Sequence, residues 1–401
     1  EFELQLALCS TWDTLSSHMG AEVESAYQRA LVLCRQVQHT PHLFRVLWGL
    51  HETALYRSDF EESLTLAGQC LAIAAAAGDV DLLVQAHHAA WAPYFFLGRF
   101  DEARAHMRAG LAIYDAARHE AQGVYYGVHD PASCALTLAP LAAWHEGQID
   151  LARQQLDAAI AHAANMQVPV SKADGLSYCA LCCCLLRDPE GARQFAEPAL
   201  QIYQERRMAN AQYMSLMALG WSMALEESAA LSMEEAPRAA SSSQQGMALL
   251  AEGLALCRQV RQRLHISQIM CLFAEACLAV GRPNEALIAA EEGITLFYQH
   301  RDLLCAPDLF LFKGQALLAL GEGEDAVAAA YVSAQTLART LGARVCELRA
   351  AASMAQLLLR QGCRGEALHL LAPIYAEFDQ GLDSPDLRAA AALLDLLAVP
   401  R

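Results

Sequence analysis

The chain has 401 residues, of which 55% are hydrophobic and 18% charged, so a disordered polymer is excluded. Its 28 cations against 45 anions leave a formal net charge of -17, which disfavours nucleic acid and anionic membrane as partners. No apolar run reaches the roughly 18 residues of a membrane-spanning helix.

Residues 1–40 read as an irregular first helix hairpin, and Glu1-Phe2, which is not an initiator, reads as the start of an excised fragment. From there a turn followed by an acidic and then small helix start recurs along the chain. It runs Ser58-Asp-Phe-Glu-Glu-Ser63, Gly98-Arg-Phe-Asp-Glu-Ala103, Gly147-Gln-Ile-Asp-Leu-Ala152 and Asp188-Pro-Glu-Gly-Ala192. It returns as Gly281-Arg-Pro-Asn-Glu-Ala286, Gly321-Glu-Gly-Glu-Asp-Ala326 and Gly362-Cys-Arg-Gly-Glu-Ala367, with a degenerate copy ending at Gly246. The closing small residues are spaced 40, 49, 40, 54, 40, 40 and 41 apart, a fixed period interrupted twice. The spacing predicts repeats over 41–116, 132–225 and 245–383, an inserted loop over 117–131 and a flexible Ser/Ala/Glu-rich insertion over 226–244. Ser384-Pro385 predicts an N-capped helix over 384–398 that closes the array.

One unit reads as a helix hairpin. Glycine ends the first helix in a left-handed conformation, acidic residues load the first turn of the second, and the small residue meets its neighbour closely. A single hairpin cannot bury both faces, so the units must stack. The expected fold is a right-handed all-α solenoid of about nine hairpins with a C-terminal capping helix. The 14 cysteines lie in Ala- and Leu-rich helical stretches and read as reduced thiols in a cytoplasmic protein.

The turn signature resembles tetratricopeptide repeats (TPRs), with a period near 40 residues. Three stretches, Glu22–Cys34 with Leu43–Leu50, Tyr126–Pro131, and Leu348–Ala355 with Ala372–Leu387, are similar to one group of long repeats. These are the C-terminal solenoids of large bacterial proteins carrying class III adenylate/guanylate cyclase and AAA/STAND-type ATPase modules. The resemblance implies a solenoid that senses or docks a partner and restrains the ATPase. The cyclase and ATPase modules themselves are missing from these 401 residues, so no catalysis is implied for them.

Chemical motifs are sparse. There is no Gly-x-x-x-x-Gly-Lys-[Ser/Thr] phosphate cradle and no Gly-x-Ser-x-Gly elbow. His51-Glu52, His119-Glu120 and His145-Glu146 begin a zincin pattern but lack its second histidine. Cys179-Ala-Leu-Cys182-Cys183-Cys184 lies where other units place Ala and Leu, so it reads as core thiols rather than a ligand set. No metal, cofactor or enzymatic activity is expected.

First helices should line the concave face, and residues at fixed offsets before each turn should point into it. Those offsets select Arg45, Trp48, Glu52, Tyr56, Gln85, His88, Thr137, Gln268, Glu275, Asp308, Gln315, Arg349 and Gln356. The His87–Phe96 stretch offers an aromatic cradle or a wide packed gap. Tyr125, Tyr126, His129 and Asp130 form either a lid over the groove or a packed loop leading into the next helix. With few cations in the groove, the expected guest is an apolar or weakly basic protein or peptide segment, such as a helix laid in it. The expected function is a non-catalytic interaction or sensor solenoid, regulating ATPase or cyclase modules of its parent chain. A ligand-sensing solenoid of a large ATP-dependent STAND/LuxR-type transcription activator, binding a small molecule, is the rival reading.

Overall fold

A computed structural model describes residues 21–37, 40–124, 126, 129–208, 211–229, 236–259, 263–300 and 303–399. Among them every regular element is helical. Helix α1 (Ala21–Val37) precedes four helix pairs: α2 (Thr40–Tyr56) with α3 (Phe60–Ala77), α4 (Val80–Phe96) with α5 (Phe100–Ala112), α7 (Pro131–His145) with α8 (Ile149–Asn165), and α9 (Pro169–Leu185) with α10 (Pro189–Glu205). The short α6 (Ala116–His119) and a 3-10 turn (Glu120–Val124) lie between the second and third pairs. Four more pairs follow: α11 (Tyr213–Ala229) with α12 (Ala236–Gln259), α13 (Ile266–Ala279) with α14 (Pro283–His300), α15 (Ala306–Leu320) with α16 (Glu324–Leu341), and α17 (Arg344–Arg360) with α18 (Arg364–Tyr375). Helix α19 (Pro385–Ala398) closes the array.

The repeat signature does what its chemistry requires. Gly98, Gly147, Gly281, Gly321 and Gly362 each leave a first helix at positive φ, between 71° and 82°. Ser58 and Arg187 take the same conformation at φ 62° without being glycine, which costs roughly 1 kcal/mol each. Asp59 and Asp188 accept backbone N–H bonds from Glu62 and Gly191, capping the second helices. The closing small residues Ser63, Ala103, Ala152, Ala192, Ala286 and Ala367 are fully buried. Ala326 departs from this pattern and is exposed. Its helix begins after Gly323, one residue late, so Val327 takes the buried position. In the degenerate unit Gly220 and Gly246 let α11 and α12 cross so closely that a Cβ on either would meet the other's carbonyl oxygen at 2.6 Å.

Two expectations change. The 226–244 insertion is helical on both sides, within α11 and α12; residues 230–235, like 1–20, lie outside the described residues. The 117–131 loop carries α6 and the 3-10 turn, and Glu120 Oε1 accepts the backbone N–H groups of Gln167 and Val168 at 2.7 and 3.0 Å. That ties the loop to the following hairpin.

The array also closes on itself. Trp144, Ile149 and Ala152 of the third pair share one apolar cluster with Val345, Leu348, Phe378 and Leu387 of the last repeats. Around it, the Gly381 N–H donates to Asp150 Oδ2 at 3.1 Å and Arg153 Nη1 to Asp383 Oδ1 at 2.8 Å. The concave face is therefore an enclosed lumen with a seam, not an open trough.

Candidate functional site

Seven first helices end in a left-handed residue, and five of them set the residue thirteen positions before it in a cavity wall. Counting back from 58, 98, 147, 187, 281, 321 and 362 gives Arg45, Gln85, Cys134, Asp174, Gln268, Asp308 and Arg349. All but Arg45 and Gln85 line one of two small cavities.

The first cavity, about 60 Å³, is walled by Trp48, Glu52, Tyr56, His88, Cys134, Asp174, Tyr178 and His265, with His129 entering from the loop before α7. His88 and His129 approach through their Nε2 atoms at 3.0 Å. His88 Nδ1 lies 3.3 Å from Gln85 Oε1, and Gln85 Nε2 donates to Gln122 Oε1 at 3.3 Å. Trp91 Nε1 donates to Cys134 Sγ at 3.3 Å. Burial, with His129 and His51 nearby, drives the His88 pKa well below its ordinary value. At His129 burial opposes charge, but Cys134, Asp174 and Glu52 outweigh it and push the pKa up to about 10. Across the cavity, His265 lies between the Tyr178 and Tyr213 hydroxyls at 2.8 and 3.0 Å, and burial lowers its pKa to about 3.

The second cavity, about 40 Å³, lies beyond Phe96 and Tyr178, which line both. It holds Gln268, Glu275, Asp308, Arg349 and His145. A buried charge network borders it. Arg349 faces Asp308 at 3.7 Å, Arg187 pairs with Glu275, and Trp221 Nε1 donates to Glu275 Oε2 at 2.8 Å. The Arg349 guanidinium also lies 4.8 Å from the Trp144 ring centre. Asp308 Oδ1 and Arg349 Nε are buried and have no hydrogen-bond partner within the chain.

A third, wider cleft of about 790 Å³ opens outside the lumen, between Arg57–Glu61, Leu97 and Arg99 on one side and Arg263, Gln299 and Leu303 on the other. Only one residue of backbone separates it from the cavities. Leu97, Arg263 and Leu303 face the cleft, while Phe96, Leu264 and Leu304 face inward.

Of the residues expected in the groove, Trp48, Glu52, Tyr56 and His88 meet in the first cavity, and Gln268, Glu275, Asp308 and Arg349 in the second. Gln85 is buried behind His88, and Thr137 Oγ1 donates to its own helix at Ser133 O, 2.8 Å. Arg45, Gln315 and Gln356 line neither cavity; Gln315 bonds Ser353, and Gln356 is exposed. On the loop, His129 enters the cavity, and Tyr126 packs edge-on against Trp48 with ring centres 5.4 Å apart. Asp130 does not face the lumen. It caps α7 by accepting from Ser133 N at 2.7 Å, and Tyr114 Oη donates to it at 2.6 Å. Tyr125 lies outside the described residues. The helix expected in the groove, roughly 10–12 Å across with its side chains, has no room in cavities of about 60 and 40 Å³. Burial raises the thiols of Cys179, Cys182, Cys183 and Cys184, as befits core groups.

Asp174, Tyr178, Tyr213, His265, Arg187 and Asp386 were missed. The thirteen-residue offset would have found Asp174 had Arg187 been recognised as a left-handed terminus, which its side chain disguised.

No family model matches the chain. A Rhizobium meliloti protein described as uncharacterized is 25% identical over 287 residues, 70% of this chain, and the match covers 26% of that protein. The chain thus spans about a quarter of the length of this relative. A crystal structure of a Rap protein complexed with competence and sporulation factor superimposes with a TM-score of 0.55 at 12% identity, covering 88% of this chain and 97% of that one. A signal transduction ATPase with numerous domains and a tetratricopeptide repeat sensor, from Pyrococcus horikoshii, overlaps less, with a TM-score of 0.44 at 11% identity over 84% of this chain and 49% of that one. With the helix pairs and their turn signature, the first of these structural likenesses fixes the fold as a tetratricopeptide-type all-α solenoid.

Proposed function

We propose that this chain is a non-catalytic sensor solenoid, the regulatory part of a longer bacterial cytoplasmic signalling protein with ATPase or nucleotide-cyclase modules. Its guest is a peptide or protein segment that lies in the outer cleft and sends one side chain past Phe96 into the lumen. The observation that carries this reading is the buried pair Asp308 Oδ1 and Arg349 Nε, an acceptor and a donor without hydrogen-bond partners in the chain, in the wall of the second cavity. Leaving such groups unpaired costs roughly 1–3 kcal/mol each, which a guest with matching polar atoms recovers. The match to a quarter of a much longer relative supports a role as one arm of a larger chain.

Occupancy would act through the seam. Gly381–Asp150 and Arg153–Asp383 are polar contacts at its rim, so a guest that reshapes the lumen shifts the balance between closed and open forms. The test is to add the isolated chain to the remainder of its parent polypeptide and follow nucleotide turnover. Inhibition or activation that Asp308→Asn relieves supports the reading, and turnover indifferent to the chain sinks it.

The small volume of the two cavities favours a second reading, a compact small-molecule ligand of a STAND/LuxR-type transcription activator. At about 10–15 Å³ per enclosed water, a cavity of about 60 Å³ admits only a handful of heavy atoms. Saturable thermal stabilisation by a metabolite, lost in Asp308→Asn, would select this reading over the peptide.

A further inference from the structure

We propose that the first cavity is a transition-metal site, holding one Zn²⁺-type cation on His88, His129 and Cys134. The spacing of 88, 129 and 134 hides this set in the sequence, where no metal was expected. The fold brings one ligand atom from each to within 4.8 Å of the others. Zinc–nitrogen bonds of about 2.0–2.1 Å and zinc–sulfur bonds of about 2.3 Å need ligand atoms roughly 3.3–3.6 Å apart, so shifts of about an ångström complete the geometry. Imidazole and thiolate donors select zinc-like ions over magnesium or calcium.

The supporting contacts are those a metal site requires. Gln85 Oε1, 3.3 Å from His88 Nδ1, can accept the proton there and turn the Nε2 lone pair toward His129. Gln122 fixes the Gln85 amide in that orientation, and Trp91 Nε1 donates to the Cys134 sulfur. Asp174 and Glu52 line the same cavity outside the set of three and add negative charge beside it. A dication with one thiolate and one carboxylate is electroneutral, which suits a buried site.

The ligands come from α4, the loop before α7, and α7, with the carboxylates on α2 and α9. The cation would therefore clamp the loop to the lumen wall. The inference uses neither the outer cleft nor the Asp308–Arg349 pair, so it stands or falls apart from the guest reading.

The experiment strips the chain with a chelator and titrates it with Co²⁺ and then Zn²⁺. The expected result is one equivalent bound, with the visible bands of tetrahedral cobalt and a thiolate-to-cobalt charge-transfer band. Cys134→Ser removes that band, His88→Gln and His129→Gln each weaken binding at least ten-fold, and Cys182→Ser leaves it unchanged. Absence of stoichiometric binding, or a band that survives Cys134→Ser, overturns the proposal. X-ray absorption of the zinc-loaded wild-type chain needs no variant. Two nitrogen scatterers and one sulfur scatterer support the site, and an all-sulfur or sulfur-free shell rejects it.

Discussion

Arg349 Nη2 donates to Asp386 Oδ2 at 2.8 Å, joining the first helix of the last pair to the capping helix. The same nitrogen reaches the Leu185 carbonyl oxygen at 3.1 Å, so one guanidinium spans the seam between distant repeats. Burial opposes charge at Asp386, yet Arg349 and Arg187 hold its carboxyl below the usual carboxylate range. Removing Arg349 strands the carboxylates of Asp308 and Asp386 in the interior. Arg349→Met should therefore cost about 3–5 kcal/mol in urea unfolding. Arg153→Ala, which breaks a solvent-exposed contact to Asp383, should cost far less. Equal losses would show that the buried network does not set the stability of the seam.

Acid should weaken the fold before the carboxylates titrate. Burial lowers His51 to about 4 and both His145 and His265 to about 3, against an unfolded value near 6.5. These imidazoles are neutral in the folded chain, so their contribution is complete above pH ~6.5 and is lost as pH falls toward their folded values. Each contributes at most about 1.4 kcal/mol per pH unit across that window. Urea midpoints taken from pH 7 to pH 5 should fall steadily, and His145→Gln should flatten the slope. A profile unchanged by that substitution would remove His145 from the account.

Two glycines separate backbone strain from seam contact. Gly321 has φ 76° with open space where a Cβ would go, so Gly321→Ala should cost only about 1 kcal/mol of left-handed strain. Gly381 has φ 64°, and a Cβ there would collide with Ile149 across the seam. Gly381→Ala should lose more stability and also expand the molecule in small-angle X-ray scattering. Equal costs and identical radii would indicate that the seam tolerates separation.

The core thiols should be chemically silent. Burial pushes Cys70, Cys179 and Cys257 up to about 12, and it also raises Cys182 and Cys184 well above the ordinary thiol value. Native chain treated with a thiol reagent at pH 8 should be modified at half-buried positions such as Cys363, with Cys182–Cys184 reacting only after denaturation. Rapid native labelling of Cys183 would mean that α9 opens readily.

Periodicity made the hairpins legible because glycine, acid and small residue answer to local backbone chemistry. It faltered where other residues did the same work, as at Arg187 and in the late helix start at Gly323. Half-filled offsets still identified Trp48, Glu52, His88, Asp308 and Arg349 as inward. The seam was not legible, because Gly381 and Asp150 are 231 positions apart and nothing local announces their meeting. The cluster at His88, His129 and Cys134 was hidden for the same reason, since the loop bearing His129 folds back over α4.

Open solenoids can gain or lose units almost freely, since each unit contacts only its neighbours. Here the last repeats must land on the edge formed by Trp144, Ile149 and Ala152. Adding or deleting one hairpin would carry the C-terminal edge past that landing place. The seam therefore counts the repeats, and duplication, the usual route by which such arrays change length, is barred to this one unless the ring opens first.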